Sequence, residues 1–324
     1  MRIYHPGFGL LPAVLKHLDG DLLYRQTIGQ IRRALPLEQY DLIDIHYGYP
    51  DGPAGVRLAR AAGVPSVLSL RGSDLNVLTR LARRRERIRR TLRDVTAIIA
   101  VTRALAKKAE QLGADAQKIH VVPNGVDLER FRATDRHAAR AELGWPRDAH
   151  VILSVGNLVE LKGFDLLVRA ISVLRDSLEK QVLCFLVGSG PLRRRIEKEI
   201  RRQGLQDHVF LSGWVAPERL PLWYSAADLS CLLSSSEGCP NVVLESLACG
   251  TAVVGSAVGG IPDMVEHGRT GLLVHDRRER QVALLLEEAL TTEWDREAIS
   301  GSEAVRDWLD AARAHFEILE RVAG

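Results

Sequence analysis

Val151-Ile-Leu-Ser-Val-Gly-Asn-Leu-Val-Glu-Leu-Lys162-Gly-Phe-Asp-Leu-Leu-Val-Arg-Ala-Ile171 is the stretch whose reading decides the fold. It opens with a short apolar run of the kind that forms a strand buried on both faces. A glycine-bearing turn with Lys162 follows, and then a helix-patterned segment. Similar apolar runs recur at 41–46, 65–70, 97–101, 118–122, 181–187, 208–212, 228–233, 252–255 and 271–274, with helical patterns between them. Strands alternating with helices imply right-handed βαβ units. The expected class is therefore α/β, with parallel sheets covered by helices on both sides.

Working outward, the pattern loosens between 123 and 149, where Pro123-Asn124-Gly125, a charged helix near 135–143 and Gly144-Trp145-Pro146 mark a domain boundary. The expected division is an N-terminal domain over 1–144, a second domain over 145–300, and a helix over 301–324 that packs back on the first. Apolar points of the tail are Trp294, Trp308, Leu309, Phe316 and Leu319. A chain of 324 residues, 46% hydrophobic and 26% charged, suits two globular domains. Its four cysteines, Cys184, Cys231, Cys239 and Cys249, show no metal or redox spacing, which fits a reducing compartment. No apolar run reaches the length needed to cross a bilayer, and no signal-type leader opens the sequence. The expected location is cytoplasmic, including attachment to the inner face of the plasma membrane.

The net charge of +3 conceals an asymmetry. Residues 1–150 hold 25 Lys and Arg against 16 Asp and Glu, or +9, and residues 151–324 hold 19 against 25, or −6. A basic first half suits an anionic membrane surface or a lipid-linked phosphate, while the acidic second half argues against nucleic acid as a partner. Eight arginines lie between Arg80 and Arg93, with Leu78, Leu81, Ile88 and Leu92 near one helical face. That amphipathic cationic helix is either a solvated face or a surface for membrane or acceptor phosphate.

Three segments carry candidate chemistry. Gly156-Asn157 to Lys162-Gly163 joins strand to helix, where backbone N–H groups, a positive helix end and an ammonium suit a diphosphate; a tight turn with a surface lysine is the alternative. Gly188-Ser189-Gly190-Pro191 repeats that shape without completing a dinucleotide fingerprint, since Arg193 occupies the third glycine position. Glu237-Gly-Cys-Pro-Asn-Val-Val-Leu-Glu245 places one glutamate in a loop and one in a helix starting near Pro240 or Asn241. N–H groups of Gly238, Cys239, Pro240's neighbour Asn241 and Val242 would meet sugar hydroxyls or phosphate oxygens, and the two carboxylates would grip vicinal hydroxyls. Two solvated glutamates stabilising a helix dipole would look the same.

From Asp41 onward the chain resembles the retaining glycosyltransferases called group 1, of family 4 type, with the B-type fold of two Rossmann-like domains. The motifs that carry the likeness are His46-Tyr-Gly-Tyr-Pro-Asp-Gly52, Leu70-Arg-Gly-Ser-Asp74, Val121-Val-Pro-Asn-Gly-Val-Asp127, Gly156 to Gly163, Gly188 to Pro191, Glu237 to Glu245, Ala248 to Val254 and Gly259 to Pro262. The resemblance implies two parallel sheets facing across a cleft, and transfer of a hexose-type sugar from a nucleoside diphosphate, UDP or GDP, to an acceptor hydroxyl. Lys162 would contact the donor diphosphate, Glu245 the ribose, and Glu237 with its following amides the sugar. Arg71 stands where the family often has histidine and would face the sugar or leaving diphosphate. His46, Gly72, Asp74 and Asn124 belong to the acceptor side or the cleft. Neither metal nor cofactor is implied. The leaving phosphate takes the acceptor's proton, so no general base is assigned.

Two departures from the family stand out. Asn157 replaces a common arginine, so a second diphosphate cation would come from Arg193 or Arg71. Only 40 residues precede the strand ending at His46, so the first domain is expected to be short by one or two βα units. Met1 to Leu18 can imitate a strand, a loop and a helix. An acceptor that is lipid-linked or a glycan, in cell-surface polysaccharide or glycolipid synthesis, fits the basic half. A donor-binding pseudo-transferase, a truncated fragment and a sugar-nucleotide epimerase are the alternatives.

Overall fold

The computed structural model describes His5, Gly7, Gly9, residues 16–175 and residues 177–324. The strand and loop expected within Met1–Leu18 fall largely outside the described residues. The ten strands are β1 (Ile43–His46), β2 (Ser66–Leu70), β3 (Ala97–Ala100), β4 (Ile119–Val121), β5 (His150–Val155), β6 (Val182–Val187), β7 (Val209–Gly213), β8 (Leu229–Leu232), β9 (Ala252–Ser256) and β10 (Gly271–Val274). Each lies in, or one residue beyond, the run that the apolar pattern marks. β1 to β4 form one sheet in sequential order, and the other six form a second in the order β10-β9-β8-β5-β6-β7. Every pairing is parallel.

The chain divides into two compact units: residues up to Pro123 together with Leu309–Gly324, and Asn124–Trp308. The division thus falls at Pro123–Asn124 rather than at 144–145. The helix Arg136–Leu143 explains the difference, for it is built into the second unit. Its Arg140 is 3% exposed and donates to the carbonyls of Ala226, Arg147 and Ala149, and at 2.6 Å to the Asp228 carboxylate. Residues 301–308 also stay with the second unit, where Val126 donates its N–H to the Arg306 carbonyl at 2.9 Å.

In the first unit, Val67, Leu68, Leu70 and Ile98 are fully buried in the central strands. The C-terminal helix, Trp308–Ala323, lays Ile318 on Val67, Ala97, Ile99 and Val122, with Ala314, Leu319 and Val322 at the margin. The stripe that packs is spaced at three and four residues, which is the helical repeat. Trp308, Leu309 and Phe316 fall off it and remain exposed.

In the second unit Val151, Ile152 and Leu153 are fully buried between β6 and β8. The helix Phe164–Leu174 buries Phe164, Leu167, Val168, Ile171 and Leu174 on one face, each worth about 1.5–3 kcal/mol against solvent. The strand order reverses at β5, which has β6 on one side and β8 on the other. Loops leaving the C-terminal ends of β5 and β8 therefore diverge and open a crevice, the place where doubly wound sheets bind ligands.

Candidate functional site

The loop after β5 carries Gly156, Asn157 and Lys162, and the loop after β8 carries Glu237. Lys162 ends a short 3-10 turn, and Gly163 then takes a left-handed conformation, φ 71°, to start the helix Phe164–Leu174. Across the strand-order reversal, Lys162 Nζ donates to Glu237 Oε1 at 2.7 Å. The two side chains are 22% and 10% exposed. Ser234 Oγ donates to the same carboxylate oxygen.

The glycine motifs hold these loops by close backbone approach. A Cβ on Gly188, where φ is 135°, would lie 1.9 Å from the Gly156 carbonyl oxygen, so no side chain fits. Leu158 donates its N–H to the Ser189 carbonyl at 2.8 Å, and Leu192 donates back to the Leu158 carbonyl at 3.0 Å. Gly190 sits against Leu158 in the same lacing. Gly260 likewise donates to the Gly238 carbonyl at 2.8 Å, fixing the Glu237 loop from the far side.

Pro240 caps a helix running Asn241–Ala248, as the sequence pattern indicates. Its first-turn N–H groups at Asn241 and Val242 have no intrahelical acceptor, while Pro240 is buried and Gly238 and Cys239 are half-buried. Glu245 lies one turn further in and accepts from the Tyr224 hydroxyl at 3.0 Å. Burial pushes the Glu245 carboxyl above its ordinary range, against the opposing pull of that hydrogen bond. Asn124 belongs to this same unit: its Nδ2 donates to Asn241 Oδ1 at 2.8 Å, so it lies beside the Glu237–Glu245 segment. Asn157 is exposed. Arg193, a candidate for the second diphosphate cation, pairs with Glu197 at 2.9 Å.

The first unit gathers His46, Arg71, Gly72 and Asp74. Asp74 is fully buried and accepts four backbone N–H groups: Gly48 and Arg71 on Oδ2, Gly72 and Leu75 on Oδ1. It is thus the staple that joins the loops after β1 and β2. The Arg71 guanidinium turns to His46, with Nη2 2.8 Å from Nδ1. His46 Nε2 is 3.1 Å from Asp44 Oδ2, and His315 Nε2 is 3.0 Å from the same oxygen. The two imidazoles stack, 5.9 Å apart and 8° from parallel. Burial raises the Asp44 carboxyl, but the hydrogen bonds from His315 and His46 outweigh it and hold it well below the usual carboxylate range. Beside this group Tyr47 has φ 89°, a conformation uncommon for a side chain of its size.

Asp44, His46 and His315 are the one cluster among the described residues whose ligand atoms converge enough to hold a cation. The neighbouring arginine opposes that use. A guanidinium only donates, so His46 Nδ1 must accept, and Nε2 then carries the proton it gives to Asp44. The arrangement is a hydrogen-bonded chain from Arg71 through His46 to Asp44. Sequence reasoning missed Asp44 and His315. Asp44 was findable, since residues two apart on a strand share a face. His315, 271 residues away, was not. Tyr224 and Ser234 were also missed.

Comparison with known proteins gives the family. The family model described as "Glycosyl transferases group 1" matches residues 135–306, and that described as "Glycosyltransferase Family 4" matches residues 10–130. The chain belongs to the group 1 glycosyltransferases. A D-inositol 3-phosphate glycosyltransferase of Arthrobacter sp. (strain FB24) is 34% identical over 80% of this chain and 64% of its own length. The chain thus spans less than two thirds of that relative. Among solved structures, sucrose-phosphate synthase from Thermosynechococcus elongatus has a TM-score of 0.79 at 24% identity, covering 96% of this chain and 80% of that one. Anabaena HepE in complex with UDP and glucose has a TM-score of 0.76 at 22% identity, covering 92% and 82%. These likenesses establish the two Rossmann-like domains of the B-type glycosyltransferase fold.

Proposed function

We propose that this group 1 glycosyltransferase moves a hexose from a nucleoside diphosphate sugar to an acceptor hydroxyl with retention of anomeric configuration. The observation that carries the proposal is the Lys162–Glu237 pair at 2.7 Å across the strand-order reversal of the second unit. A diphosphate entering there meets the Lys162 ammonium and the free N–H groups of the helix Asn241–Ala248. Charge that develops on the leaving diphosphate is stabilised by groups already in place. Glu237 then turns its lone pairs to sugar hydroxyls, and Glu245 accepts from the ribose. The departing phosphate oxygen takes the acceptor's proton. The reaction as proposed draws on side chains and helix ends alone, so activity should survive exhaustive treatment with EDTA.

UDP is the favoured carrier over GDP, in line with the UDP complex of the HepE neighbour. The acceptor is lipid-linked or a glycan of the cell surface, met at the inner face of the plasma membrane. Supporting this, the helix Ala82–Asp94 leaves Arg83, Arg85, Arg89, Arg90 and Arg93 exposed on the basic first unit. No helix among the described residues is long and apolar enough to cross a membrane. A soluble phosphorylated polyol is a second acceptor class, favoured by the name of the inositol phosphate relative. The deciding experiment offers UDP- and GDP-sugars with an isoprenoid-linked glycan or with inositol phosphate, and determines the product anomer by NMR. Donor binding without turnover on either acceptor class, or an inverted product, would overturn the proposal.

A further inference from the structure

The N-terminal ends of β5, β8 and β9 border a cavity of about 390 Å3 in the second unit. It lies at the opposite end of the sheet from the donor loops: His150 opens β5 at the cavity, and Gly156 follows the same strand about 20 Å away. Its volume is within the range of small-molecule sites.

The charges around it do not balance. Among the described residues, five Arg and Lys side chains line the cavity against three carboxylates, those of Asp148, Asp228 and Glu293. Asp228 is already fully committed. Its Oδ1 accepts from Arg136 Nη1 at 2.7 Å, and its Oδ2 accepts from Arg140 Nη2 at 2.6 Å and from the Val151 N–H at 2.7 Å. One negative charge therefore serves two guanidiniums. A third, Arg296, is half-buried in the same wall, and its Nη2 finds only neutral oxygens, the carbonyls of Ser225 at 3.2 Å and Cys249 at 3.1 Å and the Thr251 hydroxyl at 3.5 Å. Among the described residues it has no carboxylate partner within ion-pair distance. Burial pushes its pKa down, and the charges of Arg136 and Arg140 add to that effect against the opposing pull of Cys249 and Asp228. Arg147 and Lys180 stand exposed at the rim, and Trp294, with its indole N–H on the Ala289 carbonyl, gives one wall an apolar surface.

We propose that this cavity is a binding site for a phosphate group, either inorganic phosphate or the monoester of a small metabolite, held by Arg296 and Arg136 from within and by Arg147 and Lys180 at the rim. A phosphate dianion supplies the missing negative charge and accepts guanidinium hydrogen bonds in pairs. Strands β5 and β8 run from this site to the Lys162 and Glu237 loops, so occupancy bears on the elements that carry the donor crevice.

Thermal denaturation of the full chain tests the site, with inorganic phosphate or glucose 6-phosphate titrated at constant ionic strength against chloride. A saturable rise in Tm is expected in the wild type and in Lys162→Met, which weakens the donor diphosphate site. Apparent affinity should fall at least tenfold in Arg296→Gln and in the rim double variant Arg147→Gln/Lys180→Gln. The rim residues are exposed, so that variant keeps its fold and decides the matter if Arg296→Gln does not. Equal affinities assign inorganic phosphate, and tighter binding of the sugar phosphate assigns the monoester. The proposal is overturned if the wild type shows no saturable rise. A rise abolished by Lys162→Met but unchanged in the rim variant overturns it as well.

Discussion

Replacing Lys162 by methionine keeps the length of the side chain and removes its charge, leaving Glu237 with Ser234 as a hydrogen-bond partner in a site where the carboxylate is 10% exposed. Breaking a fully buried pair costs about 3–5 kcal/mol, and the partial exposure of Lys162 lowers the expected loss to about 1–3 kcal/mol. For a unit of this size that is a fall of about 2–10 °C in Tm. The transfer rate should fall about 100- to 1000-fold, the usual consequence of deleting one preorganised group that meets transition-state charge. Adding Glu237→Gln separates the two effects. An uncharged amide no longer needs a cation, so the double variant should regain most of the lost stability, yet it should remain inactive because neither diphosphate nor sugar is held. Urea denaturation gives the stability cycle, and release of nucleoside diphosphate from a sugar-donor panel gives the rate. If Lys162→Met turned over within a few-fold of wild type, or if activity returned with stability in the double variant, the assignment of this pair to the donor would be wrong.

Asp74→Ala would leave four backbone N–H groups, three of them buried, without their acceptor and should destabilise the first unit by about 3 kcal/mol, read by urea denaturation. Gly188→Ala would drive a Cβ into the Gly156 carbonyl and should abolish soluble expression or donor binding. Gly63→Ala, at φ 73° with nothing within 4 Å, should cost only about 1 kcal/mol. Glu245 has its folded pKa raised by burial, so the folded state holds its proton more tightly and loses stability as pH rises from the ordinary carboxylate value through the raised one. Glu245→Gln should accordingly raise the Tm of the ligand-free protein at pH 7 but not at pH 4, while weakening UDP binding in calorimetry.

The sequence alone determined the alternation of strand and helix, and with it the parallel sheets and the ends at which loops gather. Those properties follow from local periodicity and from glycine and proline signals that act within a few residues. It likewise located the helix that begins at Asn241 and the glycine loop at 188–190, because both signals are short-range. What it left undecided was which loops meet. Tertiary structure placed β5 beside β8, although β6 and β7 intervene in sequence, and only that order brings Lys162 to Glu237, 75 residues apart. The same holds for Arg140 on Asp228, which moved the boundary back to Pro123–Asn124, and for His315, carried to Asp44 by a helix that crosses to the first unit. A charged side chain carries no local mark of its partner. Its pairing is set by where the buried apolar faces oblige the elements to pack, which only the folded chain resolves.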